Sequence, residues 1–273
     1  MKFILLLMLF SSQLMAYTFN NNFGASFKDN DVKVMIAGDT TCLNAGLEFY
    51  ELEDLIGPAI DKFWNRVPTS ALRLSFGGYT DTINNINDGR LCAPTDETCI
   101  NSAPSNTVAP VEEIVIACND FSANFGGSTN VLAVTIPNNF AGKSIKGSVI
   151  LINNLAGSIF ANLSKSDQIG VIAHEIGHAI GLGHTDDKAA MMYYRTVDLR
   201  RALGEDDMRG VSYLYPMKLD GFGLLGGCAT IQENKKQPPS GGSFLTMLAG
   251  LFLMVFAWEL KRLLKRSQAR PTL

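Results

Sequence analysis

Histidine is almost missing from this sequence. The 273 residues contain only His174, His178 and His184, all within eleven consecutive positions. Imidazole is the commonest side-chain metal ligand and the usual acid/base group near neutral pH, so a histidine-built site can form in one place only. Thiolate zinc spacing is missing too: none of the five cysteines, Cys42, Cys92, Cys99, Cys118 and Cys228, falls in a CxxC pair. Positive charge is scarce. Between Tyr17 and Ser243 there are 25 acidic residues against 17 basic, a net charge of −8, which argues against nucleic acid as a partner. No internal repeat is visible, and long apolar runs occur only at the two ends.

Those ends carry much of the 47% hydrophobic content. At the start, MKFILLLMLFSSQLMA has Lys2, an apolar run from Phe3 to Phe10, and small and polar residues ending at Ala16, the three-part form of a secretory signal peptide. The apolar run is too short to span a bilayer. At the other end, Phe244 to Trp258 carries no charge and is followed by Lys261, Arg262, Lys265, Arg266 and Arg270. Basic residues after a span place that end in the cytoplasm and the preceding domain outside. The expected organisation is a signal peptide over 1–16, a main domain over 17–232, a linker over 233–243, and an apolar transmembrane or sorting segment with a basic tail over 244–273. The expected location is exported, either at the cell surface through a membrane anchor or extracellular.

Between the ends the pattern mixes helix and strand. VKVMIAG, after Asp31, reads as a first strand. From Glu51, Leu52, Leu55, Ile56, Ile60, Phe63 and Trp64 recur at helical spacing. ALRLSFGG alternates as a strand stopped by its paired glycines, and Tyr79–Asn106 reads as a long polar surface loop. EEIVIACND, VLAVTIPN and SVILINN are three further strands. SKSDQIGVIAHEIGHAIGLGH reads as a helix with Ser164 or Ser166 as its N-cap, and GEDDMRGVSYLYP as a last amphipathic helix. In an exported chain the cysteines favour disulfides. Cys92 and Cys99 enclose a short loop and could pair locally, with Cys42 and Cys118 as a second bridge and Cys228 left odd. The sequence leaves that pairing open.

The chemistry lies in HEIGHAIGLGH. Residues four apart share a helix face, so His174 and His178 project together and can hold one zinc ion. Glu175 lies at the edge of the same site. Gly181 can take the positive φ that turns the chain and brings His184 back as a third ligand. Three neutral nitrogens leave a fourth position for water, the pattern of a catalytic rather than a structural zinc. Such a zinc lowers the pKa of its water to roughly 7 and polarises a carbonyl. Glu175 is then the general base and acid of peptide hydrolysis without a covalent intermediate. Calcium is a second cofactor reading, since NINDG, Asn85–Gly89, is rich in oxygen ligands, although solvated turns share that composition.

The pattern HExxHxxGxxH followed by a methionine resembles the metzincin peptidases, and Met192, eight residues after His184, corresponds to their methionine turn, an apolar floor beneath the zinc. VLAVTIPN, SVILINN and GEDDMRGVSYLYP narrow the resemblance to the matrixin branch over roughly Asp31 to Pro216. It implies an α+β zincin-like metzincin catalytic domain: a mixed twisted sheet above the active-site helix, an edge strand that pairs with extended substrate, a Met-turn and a C-terminal helix. The chain departs from that branch in places. Thr185 stands where matrixins usually carry Ser, the extra histidines of a structural zinc are missing, and no PRCG-type cysteine switch follows Ala16. A single catalytic zinc is therefore expected. Tyr194, two residues after the turn methionine, resembles a tyrosine of the astacin and serralysin branches and has two candidate roles, lining the substrate pocket or stabilising the oxyanion. The GGS at Gly241–Ser243, the apolar run and the basic end resemble sorting signals processed by a rhomboid-type protease. Expected partners are protein or peptide substrates, the membrane, and that sorting protease. The rival reading is a catalytically silent zinc-binding surface module, against which Glu175 speaks because nothing structural requires an acid there.

Overall fold

The computed structural model describes residues 18–19, 24–48, 50–195 and 202–217. The expected signal peptide, linker and apolar C-terminal segment, and Cys228, lie outside the described residues. Among the described residues no helix is long and apolar enough to cross a membrane.

Six strands and four α-helices follow in chain order: β1 (Ser26–Phe27), β2 (Asp31–Ala37), α1 (Glu51–Asp61), β3 (Arg73–Thr80), α2 (Glu97–Ser102), β4 (Glu113–Asn119), β5 (Ala133–Ala141), β6 (Ser144–Asn153), α3 (Lys165–Ala179) and α4 (Glu205–Leu214). Strands β3, β2, β4 and β6 pair in parallel in that spatial order. Strand β1 adds a two-residue parallel pairing to β6. Strand β5 runs antiparallel to β6, the one reversal in a mixed α+β sheet. Among the described residues β6 is its only strand partner, so β5 is an edge, and Pro137 fits there because its missing N–H breaks no inner ladder.

Strands β4 and β6 are apolar on both faces because both faces are covered. Ile114, Ile116, Cys118, Ile150 and Ile152 belong to the core under α1 and α3. Val115, Ala117, Val149 and Leu151 point the other way, into a second cluster with Ile86, Leu91, Val108, Val111 and Phe125. That second cluster corrects the expectation of a plain surface loop over 79–106. The segment is polar overall, yet it tucks Ile86 and Leu91 against the back of the sheet and contains the short helix α2. Two disulfides hold this region, Cys42–Cys118 from the β2–α1 connection to β4, and Cys92–Cys99 within the segment.

Three further expectations shift. The paired glycines do not stop β3, which continues to Thr80 through a register shift opposite Val34 and Ile36. Gly78 takes φ +87° there, a conformation that lets the strand bulge rather than end. The two-residue β1 was not visible as a strand, being too short to show alternation. The zinc-motif helix stops at Ala179 rather than reaching His184, for a reason that belongs to the site itself.

Candidate metal centre

Helix α3 is fixed before it presents any ligand. Ser164 caps it, its side chain accepting from Asp167 N. Ile169, Ile172 and Ile176 face the core, and two long-range bonds lock the helix axially: Trp64 Nε1 donates to Ala173 O at 2.9 Å and Ser148 Oγ to Ala179 O at 2.8 Å. At Gly181, φ is +109° and the peptide N–H turns back to His178 O, while Leu182 N bonds Gly177 O. A side chain here would need a strained backbone and would meet the Ala25 carbonyl, which is why the helix ends on this glycine. The chain after the turn lies against the N-terminal segment. Gly183 N bonds Thr18 O, Thr18 Oγ1 donates to the His184 carbonyl, and Phe19 bridges Leu182.

The three histidines meet at their Nε2 atoms. His184 Nε2 lies 3.3 Å from His174 Nε2 and 3.1 Å from His178 Nε2. His174 Nδ1 is 2.8 Å from Met191 O and His178 Nδ1 is 2.9 Å from Leu182 O. A carbonyl can only accept, so each Nδ1 carries the proton and each Nε2 presents a lone pair to the common point. Burial holds the His178 imidazolium pKa down, to about 4, which keeps that ring neutral. A tetrahedral zinc with Zn–N bonds of about 2.0–2.1 Å needs its nitrogens roughly 3.3–3.4 Å apart. The spacings to His184 are close to that demand, all three ligand atoms lie within 4.8 Å of one another, and three imidazole nitrogens are a suitable donor set for the ion. Among the described residues no other group of three His, Cys, Asp or Glu side chains is arranged to hold a metal.

Met192 is 3% exposed, and its Sδ lies so close to Gly177 that a Cβ there would overlap it and the Trp64 ring. The methionine therefore sits directly beneath the helical turn between His174 and His178. What holds it is Asp207, in the first turn of α4. Its Oδ2 accepts from Met191 N at 2.5 Å and Gly204 N at 2.7 Å, and its Oδ1 from Met192 N at 3.0 Å. Burial raises the Asp207 pKa while those three N–H groups pull it back down. Thr185 N closes the loop onto Met192 O at 2.9 Å.

Glu175 is 7% exposed, and its Oε2 accepts from Thr135 Oγ1 on β5 at 2.6 Å. Burial pushes its pKa up, opposed by the neighbouring His178 and His184 rings and by the Thr135 hydroxyl. The histidines and Glu175 line a cleft of about 830 Å³ that runs along β5 past Thr135 and Ile136 and is bounded by Leu163, Val171, Tyr193 and Tyr194. Tyr194 is 47% exposed, with the Arg195 guanidinium 5.3 Å from its ring centre.

Several contributors escaped the sequence. Trp64 and Ser148 looked like ordinary core and strand residues, and Asp207 like one of three acids opening a helix. Thr18 lay next to the expected signal sequence. The one visible hint of Thr135 was a polar residue inside the apolar run VLAVTIPN.

A three-histidine site on a helix and its return turn, floored by a buried methionine and bordered by an antiparallel edge strand, defines the metzincin class. The comparisons with known proteins agree. Residues 116–216 match the family model for matrixin. Over 99 residues the chain is 35% identical to karilysin of Tannerella forsythia, covering 36% of this chain and 21% of karilysin. It is 44% identical over 48 residues to matrix metalloproteinase-27 of Homo sapiens and to matrix metalloproteinase-18 of Xenopus laevis, covering 16% of this chain and 9% and 10% of theirs. Residues 116–216 are matrixin-like, and the chain's matches span about a fifth or less of the length of these relatives.

Proposed function

We propose that the chain is a zinc-dependent endopeptidase, exported and acting outside the cytoplasm, with His174, His178 and His184 as ligands and Glu175 as the general base and acid. The observation that carries this reading is the convergence of three imidazole Nε2 atoms in a cleft that also holds a buried carboxylate and runs along a strand edge with no further strand partner among the described residues. Zinc, when bound, supplies a Lewis acid that polarises the scissile carbonyl and acidifies water. The free edge of β5 offers main-chain N–H and C=O groups to a peptide in extended form, which aligns it across the histidines. Glu175 takes a proton from the attacking water and gives it to the amine nitrogen as the C–N bond breaks. The low exposure of Glu175 keeps bulk water from competing for that proton.

Tyr194 belongs in this reading to the cleft wall. Tyr194→Phe is expected to leave kcat within about threefold and to act on KM, because a wall residue binds ground state and transition state alike. A drop in kcat of roughly a hundredfold with KM unchanged would move it to the oxyanion role. Export and surface attachment rest on residues 1–16 and 244–273, with the GGS of Gly241–Ser243 as the sorting-protease signal.

The direct test incubates the full-length chain with a diverse peptide library and identifies products by mass spectrometry. Cleavage should disappear with a chelator and return with one equivalent of zinc. A zinc-loaded chain that cleaves nothing would instead be a binding module without turnover.

A further inference from the structure

Strand β5 carries one polar side chain where its pattern calls for an apolar one. Val134 and Ile136 pack toward the cluster behind the sheet, so by the two-residue period Ala133, Thr135 and Pro137 share the opposite face. Thr135 is the only one of these three with a hydrogen-bonding side chain, and its hydroxyl donates to Glu175 Oε2 at 2.6 Å, the short distance of a charge-assisted bond.

We propose that Thr135 is a positioning residue whose hydroxyl holds Glu175 by Oε2, leaving Oε1 as the oxygen that faces the reacting water and carries its proton. This deepens the peptidase reading and rests on it. A glutamate side chain has three torsions, and the last is broad and two-fold, so the backbone alone does not choose which oxygen faces the cleft. Here the choice is made between two rigid elements. Strand β5 is laddered to β6 along its length, and α3 is pinned at Ala173 and Ala179. The contact also survives the proton's passage. The proton leaves the water oxygen, resides on Oε1 and moves to the amine nitrogen, and throughout that sequence Oε2 remains an acceptor for a hydroxyl that keeps its own hydrogen. Valine would fill the same volume and make the same strand, so packing does not call for threonine at this position.

The test compares Thr135→Val and Thr135→Ser in the full-length chain. Thr135→Val should lower kcat roughly 10- to 100-fold, the scale of a misplaced reacting group, with KM within about twofold and zinc content and Tm unchanged. Thr135→Ser should restore kcat to within about threefold of the parent. Crystal structures with and without zinc should show one Glu175 rotamer in the parent and Thr135→Ser, and more than one in Thr135→Val. The proposal is overturned if Thr135→Val keeps the parental kcat, if it acts through a raised KM as a distorted edge strand would, or if Glu175 stays in its single rotamer. Should the parent hydrolyse no peptide, the peptidase reading falls, and the Glu175 rotamers with and without zinc still decide whether Thr135 holds the carboxylate.

Discussion

Glu175→Gln is expected to remove peptide hydrolysis, with kcat falling on the order of 10³-fold or more, while zinc still binds with a stoichiometry of about one. The substitution keeps the size of the side chain, and its amide oxygen can still accept from Thr135, so the 2.6 Å contact to β5 need not break. It removes the buried carboxylate beside the histidines, the group assigned to take and return the proton. The three ligands are untouched, and the rings of His174 and His178 keep Met191 O and Leu182 O, which orient them at Nδ1. Parallel measurements of zinc content, Tm and turnover check the result. Retention of more than a tenth of the parental kcat would mean that the proton travels another way.

Asp207→Ala is expected to be the most damaging single change to the folded site. One carboxylate serves Met191 N, Met192 N and Gly204 N, the first two fully buried and the third partly so. Each orphaned buried N–H costs about 1–3 kcal/mol, so the two fully buried groups alone give a loss on the order of 2–6 kcal/mol, a large part of the roughly 5–15 kcal/mol that holds a domain together. The damage also spreads to the metal. Met191 contributes the carbonyl that orients His174, so a loosened turn frees that ring and should weaken zinc binding by about tenfold or more. Urea unfolding gives the stability change and competition with a chelating dye the affinity. Asp207→Asn keeps an acceptor and should fall between. A loss under about 1 kcal/mol in Asp207→Ala would show that the turn is held by its packing instead.

How far the sequence reached follows from how local each interaction is. The three ligands, their glycine turn and the methionine lie within nineteen residues, His174 to Met192, so helical periodicity and one special φ were enough to read them. The central strands were legible because continuous apolar runs mark strands buried on both faces. What stayed hidden came from far along the chain. Trp64 meets Ala173 across a separation of 109 residues and Thr18 meets His184 across 166. No local pattern records such a contact. The misread glycines of β3 are a different case, because a bulge and a strand end make the same demand on the backbone. The segment 79–106 looked like solvent-facing loop because its composition is polar, while the few apolar side chains that decide its placement are spaced too irregularly to show a period.

The two-sided burial of β6 has a consequence for register. In a strand with one wet face, a slip by one residue exposes its apolar set and is rejected on that ground. Val149, Ile150, Leu151 and Ile152 are all fully buried, so a slip would exchange one apolar face for the other at little hydrophobic penalty. Alignment must then come from the polar positions at the ends. Ser148 reaches Ala179 O on α3, and Asn153 donates to Ser128 O and Val131 O, next to its ladder partner Asn119, which donates to Ile86 O and Gly89 O. These buried side chains act as indexing pins. They set which residue of β6 faces α3 and, through the antiparallel ladder, which residue of β5 stands opposite Glu175. The alignment of hydroxyl and carboxylate is thus decided on β6 and β4, by a serine and two asparagines that touch neither.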